Sequence, residues 1–167
     1  MDNEQGTASA RILSEKSLAF QEKLVYDAAL ILKAEVWFMC KEKEITVLKV
    51  SPHKKPEVVT LKNELSALQE AVSSGVKDYH HLIQLVGVEE GVDLLLNDEG
   101  KLIGFEPNRR FGQDILVGDF YVVGTDGENL ASLPQDKVEK YTARFAEPED
   151  ISEEEVAQSM LMSMFFF

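Results

Sequence analysis

Apolar and polar residues alternate along the middle of this chain with the period of extended strands, and two windows at its ends repeat with the period of helices. The stretch from Glu44 to Pro52, EITVLKVSP, is β-branched and alternating, which predicts a strand closed by Pro52. The basic turn His53-Lys54-Lys55-Pro56 follows, and Val58-Val59-Thr60-Leu61 predicts a second strand. Asn63 is placed to cap a helix whose buried stripe is Leu65, Leu68 and Val72, with Glu64 near its positive end. After a polar connection from Ser73 to His81, Leu82–Val88 and Val92–Leu96 predict two more strands around the turn Glu89-Glu90-Gly91. Asn97-Asp98-Glu99-Gly100 reads as a tight reversal into KLIGF, residues 101–105, as a returning strand that ends near Glu106 because Pro107 removes a backbone donor. Asn108-Arg109-Arg110 then stands as a polar triplet between strands. Ile115–Val123 is an apolar run interrupted at Gly118-Asp119, which predicts a bend between two short strands.

Helical period takes over beyond the turn at Asp126-Gly127. In QDKVEKYTARF, residues 135–145, Val138, Tyr141 and Phe145 fall at i, i+3 and i+7 and predict an amphipathic helix broken by Pro148. Ser152 is an N-cap for a last helix with Glu153, Glu154 and Glu155 in its first turn. That helix runs into MLMSMFFF, an adhesive end unless something covers it. At the other terminus, residues 1–13 are small and polar and predict disorder. Residues 14–43 lack Gly and Pro and predict one long helix with Leu24, Ala28, Ile31, Leu32, Val36 and Met39 on one side. Its stripe has three homes: the face of the sheet, the C-terminal helix, or a second copy of the chain.

The expected organisation is therefore a disordered start (1–13), a helical appendage (14–43), an α+β core (44–145), and an acidic linker with a C-terminal helix and apolar tail (146–167). The fold class is α+β, with a small mixed or antiparallel sheet in the order strand, strand, helix, strands. That order is compatible with a β-grasp-like arrangement.

Charge alters the picture less than its total suggests. The chain carries −13 over 167 residues, split as −1 for residues 1–43, −6 for 44–145 and −6 for 146–167. The body is only mildly acidic, which argues against binding a phosphate backbone. No apolar run of membrane-spanning length and no leader-like start occur, so the expected setting is soluble and cytoplasmic. The lone Cys40 rules out an internal disulfide and reads as a small buried residue.

Candidate chemistry is sparse. His53, His80 and His81 lack the spacing of a metal set, no G-x-S-x-G elbow or phosphate-cradling glycine loop occurs, and the acidic pairs Asp98-Glu99 and Glu89-Glu90 read as turn residues. The expectation is a protein with no enzymatic activity, no cofactor and no metal. One constellation stands out: Asn108, Arg109 and Arg110, with Lys101 beside them and Lys54 and Lys55 in reach, could bind a small anionic ligand or a carboxylate-bearing partner bidentately. The alternative is structural, with the arginines paired to Glu106, Asp98 or Asp114 and Asn108 in a left-handed turn. Neighbouring residues of a strand face opposite ways, so one Arg at most needs a binding role.

The segments NDEGKLIGFEPNRRF and DILVGDFYVVG, with ITVLKVSPHKKPEVV before them, resemble an uncharacterised family known as domain of unknown function 3846, over roughly residues 44–145. Its members occur mostly in phages, plasmids and integrated elements of bacteria. The N-D-E-G-K-L turn, the N-R-R triplet and the V-G-D-F-Y-V-V-G run carry the resemblance, while Glu106-Pro107 replaces the more usual Leu-Pro or Pro-Pro step. The family has no assigned activity, so the resemblance implies a setting and not a mechanism; in that setting the expected function is a non-enzymatic accessory protein of a mobile element that binds a host protein or small anionic ligand, for instance in counter-defence. A structural or assembly module without ligand is the alternative. The terminal helices are the expected contacts for a homo-oligomer or a host protein.

Overall fold

The computed structural model describes residues 43–77 and 81–165. The expected long helix, the disordered start and Cys40 lie outside the described residues, as does His80.

The described part of the chain is α+β, built on a six-stranded antiparallel sheet. Its strands are β1 (Glu44–Val50), β2 (Glu57–Lys62), β3 (Ile83–Glu89), β4 (Val92–Asn97), β7 (Phe120–Asp126) and β8 (Asn129–Ala131). The order is β2-β1-β7-β4-β3, with β8 on the far half of β7. Every pairing is antiparallel, including the central β1–β7 pair. A mixed sheet is thereby excluded for these strands, and so is the parallel central pair of a β-grasp.

Strand alternation explains why the middle of the sheet reads as almost unbroken apolar sequence: both of its faces are covered. Leu48, Val50, Leu94, Phe120 and Val122 face one way and meet Val138, Tyr141 and Phe145 of α3 (Gln135–Arg144) and the residue after it. Ile45, Val47, Leu95, Tyr121 and Val123 face the other way, against Leu68 of α1 (Leu65–Ala71) and Val72. The predicted stripe of α1 is thus right for Leu68 and Val72, whereas Leu65 is 62% exposed. Asn63 does not cap this helix. Glu64 holds the N-cap position without a side-chain bond, and the Asn63 amide instead donates to Leu130 O at 3.1 Å, tying β8 to the end of β2.

Glu89 closes the other helix onto the sheet. Its carboxylate accepts from Lys140 Nζ at 2.9 Å, Lys137 Nζ at 3.0 Å and the Tyr141 hydroxyl at 2.7 Å. These contacts, led by Lys140 and then Tyr141, hold its pKa down to about 2. Burial, with Glu89 second, pushes the Tyr141 phenol up to about 12.

Residues 101–105 do not form the expected strand. After β4 the chain makes one helical turn, α2 (Gly100–Ile103), and stops at Gly104, whose φ of 84° is the left-handed conformation of a helix end. The amides of Gly104 and Phe105 both return to Gly100 O, and Asn97 Oδ1 accepts from the amide of Glu99 just ahead of the turn. β4 is consequently free to lie between β3 and β7. Leu102 is left 71% exposed, while Phe105 is turned into a small second core with Ile115, Val117 and Ile151.

A separate two-stranded hairpin follows, β5 (Pro107–Phe111) with β6 (Asp114–Val117). Pro107 begins β5 instead of ending a strand. The last helix, α4 (Glu153–Phe165), leans its first half on this hairpin through Val156. The expected N-cap at its start is present and is completed into a capping box: Ser152 Oγ accepts from Glu155 N at 3.3 Å, and the Glu155 carboxylate accepts from Ser152 N at 3.0 Å. No described helix is long and apolar enough to cross a membrane.

Candidate functional site

The triplet Asn108-Arg109-Arg110 sits on β5, so Asn108 takes no left-handed turn. A β-bulge between Pro107 and Arg109 shifts the register against β6. Such an extra residue re-aims side chains, and here it lets two successive residues turn inward. Asn108 and Arg109 are both fully buried, whereas Arg110 points out, as alternation from Arg109 requires.

Asn108 binds two turns together. Its amide donates to Val50 O at 2.9 Å and to Gly118 O at 2.6 Å, joining the end of β1 to the β6–β7 connection. Gly118 occupies that connection with a φ of 66°, and an added Cβ would stand 2.6 Å from the Phe105 ring, so both backbone and space require glycine.

Among the described residues Arg109 has no carboxylate partner. Nε and Nη2 donate to Phe145 O at 3.3 and 3.0 Å, Nη2 also to Lys54 O at 2.8 Å, and Nη1 to Asn108 O at 3.0 Å and Asn108 Oδ1 at 2.9 Å. Five contacts match the five N–H groups of a guanidinium, leaving no donor for a ligand. Burial pulls its pKa down from the usual value, and the charges of Glu149 and Glu147 act the other way. It is still a cation, because arginine does not lose its proton in a protein.

Arg110 is the clasp for the C-terminal arm. Nη1 donates to Glu149 Oε2 at 2.9 Å and Nη2 to Glu155 Oε1 at 2.6 Å, with Glu149 also accepting from the Arg110 amide at 3.3 Å. The two carboxylates, Glu155 first, push the Arg110 pKa further up, and Arg110 in turn holds that of Glu155 below the ordinary carboxylate value. Lys101 belongs to the same seam. It pairs with Asp114 and reaches Ser159 Oγ of α4 at 3.5 Å.

The four candidate residues therefore divide. Asn108 and Arg109 face inward to backbone carbonyls, and Arg110 and Lys101 face the arm. Of the two early lysines, Lys54 contributes its carbonyl. Glu106 pairs with His53 at 2.9 Å and Asp114 with Lys101, so the arginines take neither. Their distant acceptors, Lys54 O, Phe145 O, Glu149 and Glu155, lie 36 to 55 residues away, and the sequence marked Glu155 only as a first-turn residue of the last helix.

A second buried polar centre joins His81 and Asn97. The Asn97 amide lies 2.9 Å from His81 Nδ1 and donates to Val72 O at 3.2 Å, while His81 Nε2 lies 2.9 Å from Val76 O. His81 precedes β3 and is buried. Among the described residues no group of three His, Cys, Asp or Glu gathers as metal ligands do, and no buried side-chain nitrogen or oxygen lacks a hydrogen bond.

No curated protein and no solved structure matches this chain. The model of one family, described as "Domain of unknown function (DUF3846)", matches residues 45–146, which span β1 to the end of α3 together with the buried triplet, and the chain belongs to that family.

Proposed function

We propose that this is a non-enzymatic accessory protein of a mobile genetic element that acts in the cytoplasm by binding another protein, with α4 as its contact arm. The observation that carries this reading is the apolar C-terminal end of α4. Among the described residues, Leu161, Met162, Met164 and Phe165 are 55%, 52%, 70% and 81% exposed there. Large apolar side chains gathered in this way on a surface are the mark of an interaction site. The mobile-element setting rests on the family resemblance alone.

A specific observation favours a second reading for the triplet. With all five Arg109 donors satisfied internally, Asn108 and Arg109 support a fold-stabilising role over capture of a small anion. A module that only assembles, with no ligand, is the alternative for the chain as a whole.

The test compares the full chain with a Leu161→Asp/Met164→Asp variant, both expressed and purified gently from the host cell. One stoichiometric protein partner with the wild type, lost in an equally stable variant, is the expected result. A pure monomer in both would overturn the binding reading and leave the structural module.

A further inference from the structure

The apolar end of α4 continues along the helix into a groove of about 710 Å³, enclosed between α4 and the segment from Gly104 to Pro107. Phe105, Val156 and Met160 line it, Asp150 and Glu153 stand beside them, and the two basic side chains of the lining, Lys101 and His53, are already taken by Asp114 and Glu106. Neither Asp150 nor Glu153 forms an ion pair among the described residues; the Arg110 clasp takes Glu149 and Glu155 instead. Residues 146–167 hold six acidic and no basic residues, so the arm itself has no cation to offer this rim.

From this juxtaposition we infer that the groove and the apolar end of α4 form one docking face for a basic amphipathic helix of a partner protein. This inference rests on α4 being the contact arm. Glu153 and Leu161 are eight residues apart on one helix, roughly 12 Å along its axis at 1.5 Å per residue. A bound helix would span that distance in about two turns, with its apolar anchors over Leu161 and Met164 and its lysines or arginines over Asp150 and Glu153. Methionine suits such a seat, because its unbranched, polarisable side chain adapts to partners of different shape. A second copy is disfavoured as the occupant, since its own α4 would bring apolar groups but no positive charge to the rim.

The test uses the full chain and labelled 18-residue helical peptides followed by fluorescence anisotropy. One peptide has Leu at i, i+3, i+4 and i+7 with Lys on the remaining face, and a twin has Gln for every Lys. The Leu/Lys peptide should bind in the micromolar range, and at least about tenfold more tightly than the twin. Asp150→Lys/Glu153→Lys should lower its affinity by about tenfold without lowering the melting temperature, and Met160→Asp/Met164→Asp should abolish binding of both peptides. Equal binding of both peptides, unaffected by Asp150→Lys/Glu153→Lys, would overturn the basic partner while leaving α4 as a contact arm. No binding of either peptide, with a concentration-dependent dimer that Met164→Asp dissolves, would assign the face to a second copy. No binding and no dimer would overturn both the inference and the reading beneath it. Binding that appears only when residues 1–42 are removed would assign the face to the chain's own first segment and overturn the partner.

Discussion

Removing the side chain of Arg109 is the sharpest perturbation this structure offers. Arg109→Ala withdraws five donors from a buried site, and two of the acceptors, Lys54 O and Phe145 O, belong to segments that meet nowhere else through this side chain. A buried acceptor left without its partner costs about 1–3 kcal/mol, which applies in full to Phe145 O and only in part to Lys54 O on its exposed turn. The void left by a fully buried arginine adds to the loss, while release from the desolvation of a buried cation subtracts from it. The net expectation is about 3–5 kcal/mol, which at about 3–5 °C per kcal/mol lowers the melting temperature by about 10 °C or more. Arg109→Met refills most of the volume and restores no hydrogen bond, so it should stay within about 2 kcal/mol of Arg109→Ala. Arg110→Ala removes two ion pairs from a side chain that is 44% exposed, and should cost far less than Arg109→Ala. Urea unfolding followed by circular dichroism measures all three. If Arg109→Ala were within about 1 kcal/mol of wild type, or no worse than Arg110→Ala, the structural role assigned to Arg109 would be refuted.

Three further outcomes are expected. Arg110→Glu should repel Glu149 and Glu155 and release α4, seen as several-fold faster amide exchange across residues 153–165 with the rest of the chain unchanged; equal exchange would mean that Val156 and Ile151 hold the helix without the clasp. Glu89 has its folded pKa near 2 against an ordinary 4.5, so the stability it contributes is complete above about pH 4.5 and is lost as pH falls toward 2. Glu89→Gln should therefore be less stable than wild type at pH 6, and the gap should close between pH 4.5 and 2 in acid titrations of the unfolding midpoint. Gly118→Ala combines left-handed strain with a Cβ against the Phe105 ring, and should cost about 2–4 kcal/mol in the same urea assay; a loss below about 1 kcal/mol would show that the β6–β7 connection can move aside.

What the sequence disclosed follows the physics of local signals. Alternation found β1, and short apolar runs bounded by turn residues found β3, β4 and the two strands β6 and β7 separated at Gly118, because strands covered on both faces lose their period of two. Spacing found α3, and Ser152 followed by three glutamates found the start of α4. Residues 101–105 misled because five residues with three apolar side chains fit a strand or a single helical turn equally. The choice was made by Asn97 satisfying the Glu99 amide and by Gly104 accepting positive φ. β5 was hidden for a different reason. Its inward side chains are Asn108 and Arg109, polar groups satisfied by carbonyls at residues 50, 54, 118 and 145, and no local pattern announces acceptors that far away. The triplet was rightly singled out as unusual, but the signal was composition, which does not say whether a cation faces solvent or backbone.

The burial of Arg109 also bears on how the chain can come apart. Its guanidinium is matched only when the turn at Lys54, the hairpin strand β5 and the end of α3 at Phe145 have all arrived, segments separated by 55 and 36 residues in the chain. A half-assembled form lacking any one of them would hold a stripped positive charge against an unanswering interior, or would have to let water back in. Partial openings in this region are thereby penalised, and the three segments should exchange their amide hydrogens through one shared event, as a single cooperative unit instead of three fraying pieces.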